Sequence, residues 1–401
     1  MLMIERCAMK LFLVSFSFLL FVLPSAAQSS VAEIKAKNPG MQSLIARAQA
    51  GDAVAQFELG RDYEDGKGVR QDYAKAVEWF RRAAQQGNPQ GQNSLGLMYA
   101  DGRGLKRNKH EAVHWYRMAA DNGLPEGFYN LAISYFNAEG VNENLHLAFV
   151  YMSIAAAKGE PDAVQALQHI SEALRDQLGA AKLELAERYE RGEDISQDYS
   201  AAAKIYKDVA ETGSKSGDSH SAAEYKLCQF YASGKGVHQD YAAAKSHCEI
   251  AANEGDTAAA MDLGHMVESG IAGAVNLKEA ESWFRKAAND AETMAYMELG
   301  SLKLKDGSHQ AIQEAYFWFC LANQANHDGA QEPLERAAAI LNQDELDFLR
   351  QQADQWYWLT PERREKEFKL ELPPAAPVPS DQAAQAGLDD RAKTLVADFM
   401  G

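Results

Sequence analysis

Positive charge is scarce in this 401-residue chain: 40 Lys and Arg stand against 57 Asp and Glu, a formal net charge of −17. An acidic surface repels phosphate backbones, which argues against a nucleic-acid partner. Long apolar runs are scarcer still. One occurs, from Leu11 to Leu23, and it is short for a bilayer span. Arg6 and Lys10 flank its start and Pro24-Ser25-Ala26-Ala27 follows, so residues 1–27 are expected to be a signal peptide cut before Gln28. An uncleaved anchor is the alternative. No second run of spanning length occurs, so the mature chain is expected to be soluble and exported, retained in the periplasm or released. Several chemical signatures are missing as well. Ser-x-x-Lys does not occur, which removes the usual penicillin-reactive serine motif. The Gly66-Lys67-Gly68, Gly102-Arg103-Gly104 and Gly234-Lys235-Gly236 stretches lack the rest of a dinucleotide or Walker loop, and no strand precedes them.

What the chain has in abundance is self-similarity. "GDAVAQFELGRDYEDGKGVRQDYAKAVEWFRRAAQQ" from Gly51, "GNPQGQNSLGLMYADGRGLKRNKHEAVHWYRMAADN" from Gly87 and "GLPEGFYNLAISYFNAEGVNENLHLAFVYMSIAAAK" from Gly123 follow one another without a gap, each 36 residues long. The pattern resumes from Gly179 and runs, increasingly worn, to about Asn326. Each unit reads as two helices joined by a Gly-rich turn. The first helix carries a leucine column (Leu59, Leu95, Leu131, Leu185, Leu227, Leu263, Leu299) followed by a small residue, then tyrosines at 63, 99, 135, 189 and 231. The second carries an unbroken alanine column (Ala76, Ala112, Ala148, Ala202, Ala244, Ala280, Ala315), then aromatics such as Trp79-Phe80 and Trp115-Tyr116, then an Ala pair. This spacing leaves one apolar face on each helix. Small residues let paired backbones approach closely, and the aromatics are expected to fill the gap to the next unit. Second helices start at residues that can cap free amides: Asp72, Asn108, Asn144, Asp198, Asp240 and Asn276.

Column by column the pattern resembles the Sel1-like repeat, a relative of the tetratricopeptide repeat, over roughly residues 45 to 356. The resemblance implies an all-α fold: an α-solenoid wound as a right-handed superhelix of about seven or eight helix-turn-helix repeats. "LAFVYMSIAAAKGEPDAVQALQHI" resembles "EAYFWFCLANQANHDGAQEPLERA", taking Ala148 to Ala315 and Tyr189 to Trp356. In the family such a segment often closes an array. The expected organisation is therefore a capping segment at 28–50, a first array with its closing helix pair at 51–178, and a second array with its cap at 179–358. A linker rich in proline and a short amphipathic tail helix at 359–401 (Leu388, Ala392, Leu395, Val396 and Phe399 on one face) are expected to be largely disordered. The insertion "GSKSGD" from Gly213 should form an exposed loop.

One stretch competes with this reading. His110-Glu111-Ala112-Val113-His114 is the His-Glu-x-x-His pattern of zinc proteases. In register with the other repeats, however, Glu111-Ala112 fills the common Lys/Glu-Ala position. Both histidines fall in variable, mostly polar columns, roughly opposite the apolar stripe at about 100° per residue. A catalytic zinc also needs a third ligand and a concave site, and no matching third-ligand motif follows. No catalytic residue, metal or cofactor is assigned, and the chain is not expected to be an enzyme. The alternative is a cell-wall-related or metal-dependent hydrolase, through these histidines or through β-lactam binding.

Two cysteines sit at instructive places. Cys228 replaces the small residue after leucine in its unit, and Cys248 replaces the aromatic after the tryptophan position. Elsewhere a small and a large residue face each other at this crossing. Here both are Cys, in a chain expected in an oxidising compartment, which predicts a disulfide between Cys228 and Cys248 if their Cα atoms lie within about 7 Å. Two buried free thiols are the alternative, and Cys320 is expected to be a buried single thiol.

The function that fits is an interaction scaffold. First helices are expected to line the concave side of the superhelix. Their surface columns hold Glu58, Ser94, Asn130, Glu184, Lys226 and Asp262 on one line, and Arg61, Leu97, Ile133, Glu187, Gln229 and His265 on the next. Varied side chains on a constant frame suit recognition of a partner protein or peptide. Among these the expected partner-binding residues are Glu58, Arg61, Ser94, Leu97, Asn130, Ile133, Glu187, Gln229 and His265. The family resemblance implies an exported adaptor of a Gram-negative envelope that binds envelope, secretion or cell-wall proteins.

Overall fold

Columns of alanine and glycine dictate how closely the helices pack. In the computed structural model, which describes residues 39–212 and 218–373, all regular structure is helical and no strand occurs among the described residues. The expected signal peptide, all of the GSKSGD insertion except Asp218, and the tail helix lie outside the described residues. The helices are α1 (Pro39–Gln49), α2 (Ala53–Asp65), α3 (Tyr73–Gln85), α4 (Pro89–Asp101), α5 (Lys109–Asp121), α6 (Pro125–Phe136), α7 (Leu145–Ala157), α8 (Ala163–Leu174), α9 (Leu178–Arg191), α10 (Tyr199–Thr212), α11 (Asp218–Ser233), α12 (Tyr241–Asn253), α13 (Thr257–Ser269), α14 (Leu277–Asn289), α15 (Thr293–Leu304), α16 (His309–Gln324), α17 (Gln331–Ala338), α18 (Gln343–Tyr357) and α19 (Pro361–Glu367). The described residues group into two units, 39–143 with 158–160, and 144–157 with 161–373. The third repeat is thus divided: α6 closes the first unit and α7 opens the second. The expected array boundary at 178 and 179 falls inside the second unit.

All six expected caps are present. Asp72 accepts from the Lys75 amide, Asn108 from His110 and Glu111, Asn144 from Leu147, Asp198 from Ala201, Asp240 from Ala242 and Ala243, and Asn276 from Glu279. Each such cap contributes about 1 kcal/mol by pairing amides that the helix leaves open. The turns before them need glycine. Gly104 holds φ at +72°, and a Cβ there would collide with the Tyr73 carbonyl at the start of the preceding repeat's second helix.

The small and the aromatic columns meet at each crossing. A Cβ on Gly60 would lie 2.6 Å from the ring of Phe80, and one on Gly96 would lie 2.6 Å from that of Tyr116. Gly264 and Gly300 face Phe284 and Phe319 in the same way. The second aromatic of each pair therefore packs on the glycine of its own repeat, the small-against-large crossing expected from the sequence. Phe80 and Phe284 are fully buried, each stabilising its crossing by roughly 1.5–3 kcal/mol. The ring is what demands glycine. The tryptophans Trp79, Trp115 and Trp283 stay half-buried at the edge of the core.

In the second unit one continuous core runs from Cys228 to Trp356. Its two all-round apolar helices, α7 and α16, are each covered on more than one side: α7 by α8 and α9, α16 by α15, α17 and α18. The chain does not leave the fold at residue 358, which corrects the expected linker start. Arg364 on α19 is buried, and its guanidinium donates to the carbonyls of Trp356, Tyr357 and Asn289. Phe368, Leu370 and Leu372 then pack against the core, with Phe368 stacked on Phe317. A charged stretch conceals this in the sequence because the one cation that matters pairs with helix-end carbonyls, which carry no residue signature.

Candidate functional site

Which side of the stack is concave follows from how the helices touch. In the second unit α9 contacts α11 and α11 contacts α13, more extensively than the second helices of successive repeats contact one another. Closer spacing on the first-helix side curves the stack toward that side. Between α11, α13 and their following turns lies a groove of about 850 Å3. Gln229 and His265, both expected partner-binding residues, line it together with Glu190, Asp262, Met266 and Ile271. Glu187, one repeat earlier, is not among its lining residues and pairs with Arg191 at 3.5 Å.

The groove is polar but held in place by its own contacts. Glu190 accepts from Tyr206 at 2.9 Å and from Lys226 at 3.1 Å. Asp262 accepts from Tyr225 at 3.0 Å. Burial raises the Asp262 carboxyl above its ordinary range even though the Tyr225 hydrogen bond acts the other way. Burial, then the Asp262 charge, pushes the Tyr225 phenol up to about 12. Glu268 pairs with Lys305 at 2.6 Å. Several of these bonds join neighbouring repeats: Lys226 to Glu190, Tyr225 to Asp262, Lys305 to Glu268. Met266 is half-buried and Ile271 is exposed, which leaves apolar surface beside a wall of mixed charge that holds Glu190, Asp262 and Glu268 with Lys235 and Lys305.

The first unit carries the remaining expected positions without a comparable groove around them among the described residues. Glu58 and Arg61 are exposed, with the Arg61 guanidinium 5.8 Å from the Phe57 ring centre. Ser94, Leu97, Asn130 and Ile133 are half-buried, and Asn130 donates to Asn93 at 2.9 Å. Sequence reasoning missed Glu190, Met266, Ile271 and Lys305 as groove residues. Two of them, Ile271 and Lys305, follow the helices, and turns vary too much between repeats to form columns. The acid at Glu190 and Glu268 does recur at Glu64, five residues after the column leucine, and that was the available signal.

His110 and His114 are exposed on α5, opposite its buried residues Ala112, Val113 and Tyr116. Neither joins two other metal-ligating side chains among the described residues. Cys228 and Cys248 are bonded, with Cα atoms 5.3 Å apart, at the crossing where other repeats place glycine against a ring. Cys320 is buried and free.

Helix pairs of one length, capped at fixed positions and stacked with first helices inward, define a paired-helix repeat protein, whose interior is consumed by packing. The Sel1 repeat profile matches residues 53–88, 89–124, 125–160, 179–207, 221–256, 257–291 and 293–327. These seven matches cover more than half of the sequence, and the chain belongs to the Sel1 repeat family. Proteins of this family are generally scaffolds for protein–protein interaction, typically without catalysis. Among solved structures the chain is similar to a protective antigen of uropathogenic Escherichia coli displaying an SLR fold, at 25% identity over 85% of this chain and 92% of that one, with a TM-score of 0.33. It is also similar to a Sel1 repeat protein from Oxalobacter formigenes, at 38% identity over 33% of this chain and 99% of that one, with a TM-score of 0.31. No curated protein matches. Among the described residues no helix is long and apolar enough to cross a membrane.

Proposed function

We propose that the chain is an exported, non-catalytic adaptor whose second unit takes up a segment of a partner protein in the groove between α11 and α13. The groove itself carries this reading: about 850 Å3 of concave space on the first-helix side, lined by Gln229, Asp262, His265, Met266 and Ile271. A wall of mixed charge beside exposed Ile271 and half-buried Met266 suits a segment that offers an apolar side chain flanked by polar ones. Export rests on the N-terminal pattern of a weakly basic start, an apolar run and small residues before Gln28.

Crosslinking in envelope extract with mass-spectrometric identification would supply the partner. The decisive step is then affinity. Met266→Arg places a charge in the apolar part of the groove and is expected to weaken binding at least about tenfold, a loss of ~1.4 kcal/mol. Met118→Arg, on the exposed face of α5, should leave it unchanged. Equal effects of the two variants would remove the groove from the account. Export is tested by N-terminal sequencing of the protein from the periplasmic fraction, which should begin at Gln28.

A further inference from the structure

One part of the groove wall has a composition that partner recognition does not explain. His265 and Glu268 lie three residues apart on α13 and so share a face. Glu298 reaches the same place from α15, the first helix of the next repeat. One ligand-type atom from each of the three lies within 4.8 Å of the other two. The separations are too long for hydrogen bonds: His265 Nδ1 is 3.8 Å from Glu268 Oε2, and His265 Nε2 is 3.9 Å from Glu298 Oε1. Two atoms each about 2.1 Å from a shared ion stand roughly 3 to 4.2 Å apart; only one of the two diverging ring nitrogens can face the ion, and the three-atom set within 4.8 Å closes to that range by side-chain rotation.

We propose that His265, Glu268 and Glu298 form a divalent transition-metal site of the zinc and cobalt class. One imidazole nitrogen and two carboxylate oxygens are a ligand set these ions accept, and water or a partner group would complete the shell. Two further observations favour the assignment. The half-buried Glu298 carboxylate accepts no hydrogen bond from any described residue, so its negative charge is set into the wall without a donor. Lys305 pairs with Glu268 through Oε1 and leaves Oε2 turned toward His265. The ammonium of Lys305 then acts as a competitor for Glu268, which gives the proposal a sign that a plain ion-pair cluster would not share.

The test uses the full chain, stripped with EDTA and exchanged into chelator-free buffer. Cobalt chloride is titrated while the visible d–d bands are followed, and zinc chloride is titrated by calorimetry. One ion per chain is expected. His265→Ala and Glu298→Gln should each weaken binding at least about tenfold, with the far-ultraviolet spectrum unchanged. Lys305→Met should tighten it, because the competing cation is gone. Absence of binding below about millimolar ion, binding that persists in both His265→Ala and Glu298→Gln, or weaker binding in Lys305→Met would each overturn the proposal. The probe is the metal alone, so a negative result leaves the partner reading where it stands.

Discussion

Substituting Cys228 by Gly and Cys248 by Phe together would rebuild the pair found at Gly60 and Phe80, Gly96 and Tyr116, Gly264 and Phe284, and Gly300 and Phe319. The native bridge joins residues 20 apart, and closing a loop of that length in the unfolded chain stabilises by about 3 kcal/mol. The rebuilt pair lacks the bridge but buries a phenyl ring, which offsets roughly 1.5–3 kcal/mol of the loss. Cys228→Ala with Cys248→Ala loses the bridge and gains no ring, so its cost is the full ~3 kcal/mol plus any packing lost at the crossing. Repeat arrays need not unfold as one unit, so the readout is native-state hydrogen exchange of α11 and α12 without reductant, supported by thermal melts. The expected order is wild type, then the Gly–Phe variant, then the double-alanine variant. Reductant should lower the wild type and leave the Gly–Phe variant unmoved. A Gly–Phe variant no more stable than double alanine would mean that α11 and α12 cross differently from the other pairs, and the shared geometry of the repeats would fail.

Three further outcomes follow from the packing. Gly96→Ala drives a methyl to 2.6 Å from the Tyr116 ring and should cost about 1–3 kcal/mol, seen as a lowered melting temperature of the first unit. Arg364→Met keeps the apolar stem but strands the carbonyls of Trp356, Tyr357 and Asn289; a loss of about 2–4 kcal/mol should appear as faster exchange in α18 and α19. Burial opposes ionisation of Glu345 and Glu281, yet hydrogen bonds from His309 and the Asn342 amide to the first, and from Lys303 and Arg285 to the second, hold both carboxyls below their ordinary value of 4.5. A carboxyl depressed on folding stabilises above its unfolded value, and that contribution is lost as pH falls through the lower folded value. Melts of the second unit between about pH 6 and pH 3 should therefore show a decline starting near pH 4.5 that Glu345→Gln makes shallower.

Most of the frame was legible because each of its demands falls on a residue type. A helix start needs Asp or Asn, a ring needs glycine beneath it, and repetition exposed both as columns. The Cys228–Cys248 bond was legible for the same reason, since two cysteines occupied two columns known to face each other. What the rings rest on was legible too: the crossing read from the sequence sets a small residue against a large one, and Phe80 lies on Gly60 of its own repeat. The groove was legible in part. Gln229 and His265 stood in the surface columns, whereas Ile271 and Lys305 come from turns that differ from unit to unit. The packing of residues 361–372 was hidden because Arg364 pairs with backbone, and backbone leaves no trace in the sequence.

The central claim is that packing consumes the interior and that binding falls to the first-helix side of the second unit. A photo-reactive amino acid placed at Gln229 should crosslink the partner, whereas the same amino acid at Met118 on the exposed face of α5 should not. Crosslinking from Met118 with none from Gln229 would contradict it.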